Sequence, residues 1–185
     1  MLRLCHKVNP FEPQVRSRHA SPDEVRQAFS ENDADLKWLA LILTGNKESA
    51  EACVVNALAL STNHNQVFEE WLSHWAHRAT IRCAIESQRV SIREARTRTC
   101  PHGHHSSLSP LVKERIKTEP VTRAVIAMDV IARFALVLRG IEGYSSRESA
   151  VLLGINRAEF EAAYCSAIAT IEQSMPEFAE SLEET

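Results

Sequence analysis

Glycine is scarce in this chain, with 5 in 185 residues. None of them belongs to a phosphate-cradling loop, and neither a His-Glu-x-x-His pair nor a nucleophile elbow occurs. Catalysis, a cofactor and a catalytic metal are therefore not expected. No apolar run approaches the roughly 20 residues that span a bilayer, so no membrane association is expected. The opening residues, Met1 to Lys7, carry charge with no apolar core behind them. That is not a secretory signal, and a cytoplasmic protein is expected. The five cysteines (Cys5, Cys53, Cys83, Cys100, Cys165) are odd in number, widely spaced and form no CxxC pair. Reduced thiols fit this pattern better than a disulfide framework. No segment keeps a two-residue apolar alternation, which argues against sheets.

What is present points to helices. Hydrophobic residues make up 44% and charged residues 24%, a balance that folds rather than staying disordered. Leu36, Leu39, Ala40 and Leu43 are spaced for one helix face, and Gly45 breaks the pattern. A second helix is expected from Lys47 to Leu60. A third carries Val67, Phe68, Trp71, Leu72, Trp75, Ala76 and Ala79 at three- and four-residue steps, continuing to about Arg96. On this stripe Trp71 and Trp75 read as core residues, with base stacking the alternative. Ser21-Pro-Asp-Glu24 has the pattern of a helix start within an otherwise flexible arm. Beyond Pro110, one helix is expected from Val121 to Leu138, a short one from Ser145 to Leu153 and a last one from Asn156 to about Gln173.

The predicted organisation is all-α: two small helical modules joined by a linker. Residues 1–33 form an N-terminal arm, 34–98 the first module, 99–118 the linker, 119–175 the second module and 176–185 an acidic tail. Cys100, His102, His104 and His105 fall in the linker; a polar connector is the simpler reading, and a fragment of a metal site the alternative.

Charge is segregated. The formal net charge of −3 argues against a non-specific nucleic-acid binder. Yet His74 to Arg98 holds six arginines against Glu86 and Glu94, a local excess of four positive charges. Asn156 to Gln173 holds only Arg157 against Glu159, Glu161 and Glu172, a local balance of −2.

The most specific pattern runs from Gly143 to Phe160. A capped helix meets a glycine turn and a second capped helix, as in a helix-turn-helix. Ser145 and Glu148 make a capping box, Ala150 is small at the helix crossing, and Val151, Leu153, Ile155 and Phe160 are expected to wedge the two helices apart. Asn156 caps the second helix.

Arg139-Gly-Ile-Glu-Gly-Tyr-Ser-Ser-Arg-Glu-Ser-Ala-Val-Leu-Leu-Gly-Ile155 resembles region 4 of sigma-70 factors, especially the extracytoplasmic-function group. Glu148, Ala150, Leu153 and Gly154 match its Glu-x-Ala-x-x-Leu-Gly helix. Leu41-Ile-Leu-Thr-Gly-Asn-Lys-Glu-Ser-Ala-Glu51 and Phe68-Glu-Glu-Trp-Leu-Ser-His-Trp-Ala-His-Arg78 resemble two stretches of region 2. The matches span about residues 35–98 and 119–173, in the family's order.

The resemblance implies a transcription initiation factor that recruits RNA polymerase core and contacts promoter DNA at the −10 and −35 elements. Implied DNA-binding residues are Arg139, Arg147, Asn156, Arg157 and Glu159 in the second module and His74, Arg78 and Arg82 in the first. Glu48, Glu51 and Asn56 are implied to bind polymerase. Ala52, Val55 and Asn56 stand where the family has Asp, Gln and Glu, and the second helix of the helix-turn-helix is acidic where the family is basic. A second reading follows from these departures: a degenerate relative that has lost promoter binding and acts as a protein-interaction regulator, paired with an anti-sigma or other regulatory protein.

Overall fold

The computed structural model describes residues 18–63, 67–96 and 117–174. The linker's Cys100, His102, His104 and His105, and the acidic tail, lie outside these residues. Among the described residues the chain is all-α: helices and one isolated bridge between His19 and Phe68, with no sheet.

The first module holds α1 (Pro22–Glu31), α2 (Asp33–Thr44), α3 (Lys47–Asn63), α4 (Leu72–Ser87) and α5 (Arg89–Ala95). α1 begins with the predicted cap: the Ser21 side chain accepts from Glu24 N and the Glu24 carboxylate accepts from Ser21 N, so two orphan donors are satisfied at once. Val25, Ala28 and Phe29 bury its inner face against α3 and α4, so this part of the arm belongs to the first module.

α2 organises the rest. Leu36, Leu39, Ala40, Ile42, Leu43 and Thr44 are all buried, which is more than one helix face. One side packs on α3 and α4, the other on two helices of the second module, α6 (Glu119–Ala127) and α7 (Val130–Ala135). A helix apolar nearly all round requires cover on all sides, and the second module supplies the missing half. Each fully buried Leu or Ile contributes about 1.5–3 kcal/mol relative to exposure.

α2 ends at Gly45, in the left-handed region at φ 83°. A Cβ there would lie 2.7 Å from Nη1 of Arg133, which reaches across from α7. Arg133 is buried, donates to the Ile126 carbonyl at 2.8 Å, and sits where the last carbonyls of α2 favour a cation. At the same interface Trp38 Nε1 donates to Thr122 Oγ1 at 3.4 Å, and Lys117 pairs with Asp35 at 2.6 Å.

Several elements differ from expectation. The third predicted helix is broken: Glu69–Trp71 is a 3-10 turn, and Gln88 separates α4 from α5. Because the α-helix proper starts at Leu72, Trp71 swings off the apolar stripe and is 58% exposed, so its core reading is wrong. Trp75 stays half-buried, with Nε1 donating to Ser61 Oγ. The predicted Val121–Leu138 helix is also two, because Met128 is extended and Asp129 restarts the chain by accepting from Ile131 N. After α7 the chain widens into a π turn, Leu136–Ile141.

α8 (Ser146–Leu153) and α9 (Arg157–Ser174) follow. The Ser145–Glu148 capping box is present, Gly154 takes φ 66° in the turn, and Asn156 Oδ1 accepts from Glu159 N. Ala150, Leu153, Ile155 and Phe160 are buried between the helices, but Val151 is 74% exposed and is not part of the wedge. Phe160→Ala should therefore lower unfolding free energy by about 3–5 kcal/mol in a denaturant titration, whereas Val151→Ala should stay within about 0.5 kcal/mol of the parent.

Candidate nucleic-acid interface

α4 and α5 carry the basic face. Arg78, Arg82, Arg89, Arg93 and Arg96 are all exposed; Arg78 and Arg82 lie one turn apart on α4, and Arg89 and Arg93 one turn apart on α5 with Arg96 at its end. Among the described residues Arg82 makes no ion pair, and Arg89 pairs only with the exposed Glu86. His74 is exposed one turn before Arg78, and Trp71 precedes both. The result is an aromatic ring beside a line of cations, the combination that suits base stacking over a phosphate track.

This face opens onto a cleft of about 310 Å³ between the modules, lined by Trp71, His74 and Arg78 on one side and Glu142, Gly143, Tyr144 and Glu148 on the other. The π turn delivers the second side: Glu142 N bonds the Val137 carbonyl and Tyr144 N the Leu138 carbonyl, and Gly143 turns at φ 75°. Arg78 Nε donates to Tyr144 Oη at 3.1 Å, with its guanidinium 5.6 Å from the ring centroid. The Ser145 hydroxyl and backbone hydrogen bonds hold the Glu148 carboxyl below its ordinary range, with Arg78 assisting. Sequence reasoning missed Tyr144 and Glu142 as partners of α4, because nothing in the pattern marks a contact across a linker.

The second module presents fewer free cations. Arg139 forms an ion pair with Glu161, donates to Ser146 Oγ at 3.1 Å and lies 4.5 Å from the Tyr164 ring centroid. Burial pushes the Glu161 carboxyl upward, but Ser146, Arg139 and Arg157 outweigh it and hold it low. Arg157, exposed, also turns toward Glu161 at 3.7 Å. Asn156 and Glu159 close on each other in a reciprocal cap, with Asn156 N donating to Glu159 Oε2 at 2.9 Å. Arg147 is exposed and, among the described residues, unpaired. The structure thus places His74, Arg78 and Arg82 at successive turns of α4.

Glu48, Glu51 and Asn56 are all exposed on the outer face of α3. Ala52, Val55, Ala59 and Leu60 share that face, and Val55 is 64% and Leu60 58% exposed. The surface is more apolar than an acidic patch. Among the described residues no cluster of metal-ligating side chains occurs, and no helix is long and apolar enough to cross a membrane.

His77, on the side of α4 facing the second module, lies with Nδ1 3.2 Å from Glu142 Oε1. The hydrogen bond to Glu142 raises the His77 pKa; burial opposes it, Glu142 and Asp35 add to it through their charge, and Lys117 opposes it. A folded-state pKa above the unfolded value of about 6.5 stabilises the fold fully below that pH, and the contribution is lost as pH rises through the folded pKa. The stability difference between the parent and His77→Gln, measured from pH 5 to 9, should therefore be largest at the acid end and shrink upward. A constant difference would contradict the ionic contact.

No known protein family matches the chain, and no curated protein matches it in sequence. Among solved structures it is similar to the sigma factor RpoE in its co-crystal structure with the anti-sigma factor NepR from Bartonella quintana, at 14% identity and a TM-score of 0.48, over 83% of this chain and 98% of that one.

Proposed function

We propose that this chain is a sigma-like transcription factor whose principal nucleic-acid surface is the α4–α5 face rather than the start of α9. The exposed line Trp71, His74, Arg78 and Arg82 carries the reading. Arg82 makes no ion pair among the described residues and is free to meet a phosphate, Arg78 would exchange its Tyr144 contact for one, and the exposed indole is free to stack on an unpaired base. In the second module Arg147 supplies the free cation, and Arg139, Asn156, Arg157 and Glu159 shape the helix pair that would lie against duplex DNA. The α3 face with Glu48, Glu51 and Asn56 is the surface offered to polymerase core, and its apolar residues make that contact depend on burial more than on charge. The factor acts by recruitment and promoter opening, with no chemistry of its own.

A second reading, a protein-interaction regulator that has lost promoter binding, is favoured by the reciprocal Asn156–Glu159 cap and the acidic balance of α9. Carboxylates beside a phosphate backbone oppose the attraction that supplies most non-specific affinity.

The two readings separate in one experiment: capture of purified core RNA polymerase, followed by binding of a promoter fragment with an unpaired −10 segment at two salt concentrations. The factor binds core, and its DNA affinity falls with salt. Arg82→Ala lowers the logarithmic salt slope by about 0.7, as for one single-strand phosphate contact. Folded protein that binds neither core nor DNA excludes the factor and leaves the regulator.

A further inference from the structure

Two cysteines outside the surfaces above face each other across the α3–α4 contact. The helices run antiparallel, and their register follows from the Trp75–Ser61 hydrogen bond at 3.1 Å. Eight residues back along α3 from Ser61 lies Cys53, and eight forward along α4 from Trp75 lies Cys83. Both steps advance about 12 Å along the axis, so the two cysteines come level. A second contact agrees: Cys53 Sγ lies 3.2 Å from the Thr80 carbonyl oxygen, one turn before Cys83.

The spacing suits a bond. Ala57 on α3 and Ala76 and Thr80 on α4 are buried and small, which suits closely packed helices. Helix axes about 8–10 Å apart, with Cα atoms on cylinders of about 2.3 Å radius, leave directly facing Cα atoms about 3.4–5.4 Å apart, a range that overlaps the roughly 4.4–6.8 Å that a disulfide spans.

The pair is also unequal. Cys53 is buried at 3% exposure, whereas Cys83 is half-buried. The hydrogen bond from Cys53 holds the Cys83 thiol down to about 7; burial opposes this, Arg82 assists and Glu86 opposes. The same contact, with burial, pushes the Cys53 thiol up. Cys83 is therefore the nucleophile and Cys53 the resolving thiol.

We propose that Cys53 and Cys83 form a peroxide-oxidised dithiol site that closes to a disulfide between α3 and α4. The Cys83 thiolate attacks one oxygen of hydrogen peroxide, the O–O bond breaks, and the departing hydroxide takes a proton to leave as water. Cys83 is then a sulfenic acid. The Cys53 sulfur attacks the Cys83 sulfur, the S–O bond breaks, and the hydroxyl leaves as a second water with the Cys53 proton. Two thiols lose two electrons and one peroxide gains them. The bond ties the helix bearing Glu48, Glu51 and Asn56 to the helix bearing Arg78 and Arg82, and the site stands whether or not those surfaces bind polymerase or DNA.

The test treats the full chain, and a variant with Cys5, Cys100 and Cys165 changed to serine, with hydrogen peroxide at neutral pH. Peptide mass spectrometry should find in both a single Cys53–Cys83 linked peptide, lighter by two hydrogens and reversed by dithiothreitol, with a rate that rises through about pH 7. Cys53→Ser, checked for its helical circular dichroism, should instead yield a Cys83 sulfenic acid trapped by dimedone. Recovery of both cysteines as free thiols, or oxidation of Cys83 to sulfinic acid while Cys53 stays reduced in the parent, would overturn the proposal.

Discussion

Burial of α2 on two sides is the constraint on which the rest of this structure depends. Leu36, Leu39, Ile42 and Leu43 cannot all be covered by the first module, because α3 and α4 reach only one side of the helix. The second module must close over the other side, and α6 and α7 do so. Arg133 completes the contact at the helix end, where Gly45 lacks the side chain that would displace the guanidinium. Burial pulls the Arg133 pKa down, with the Asp129 carboxylate opposing. Burying such a group is costly, and the negative end of α2 together with the Ile126 carbonyl offsets that cost. The two modules are therefore one packed body, and the cleft between α4 and Tyr144 is a consequence of that packing.

The same packing divides the charged side chains into two sets. Arg133 and Arg139 face inward and hold elements together, each with a named partner. Arg82 and Arg147 face outward and make no ion pair among the described residues. Arg78 is intermediate, exposed yet bonded to Tyr144 across the cleft. A ligand that recruits Arg78 has to compete with that contact. On the proposed reading, a ligand on α4 and the contact with Tyr144 would draw on the same side chain.

Much of the fold was legible in the sequence because its signals are local. Ser21, Ser145 and Asn156 announce their helices through caps, and Gly45 and Gly154 end theirs with positive φ; each needs only a few neighbouring residues to act. The all-round apolar character of Leu39 to Thr44 was also there to read as a helix covered on both sides, but three- and four-residue spacing draws attention to one face only. Trp71 was misplaced because periodicity assumes one continuous helix, and a 3-10 turn of three residues rotates it off the stripe. The site was less legible. Arg78 and Tyr144, like His77 and Glu142, lie more than sixty residues apart and meet only through packing. Arg139 reads as a free cation in sequence, and only the position of Glu161 on α9 shows it to be held inside.

Trp71 is the side chain on which the central claim turns, because its exposure separates a stacking surface from a merely basic one. Its fluorescence offers the most direct measurement, taken during titration with single-stranded DNA in the parent and in Trp71→Phe, with Trp38 and Trp75 left in place. The account predicts quenching in the parent that is largely lost in Trp71→Phe. Quenching of equal size in both proteins, or none in the parent at low salt, would contradict it.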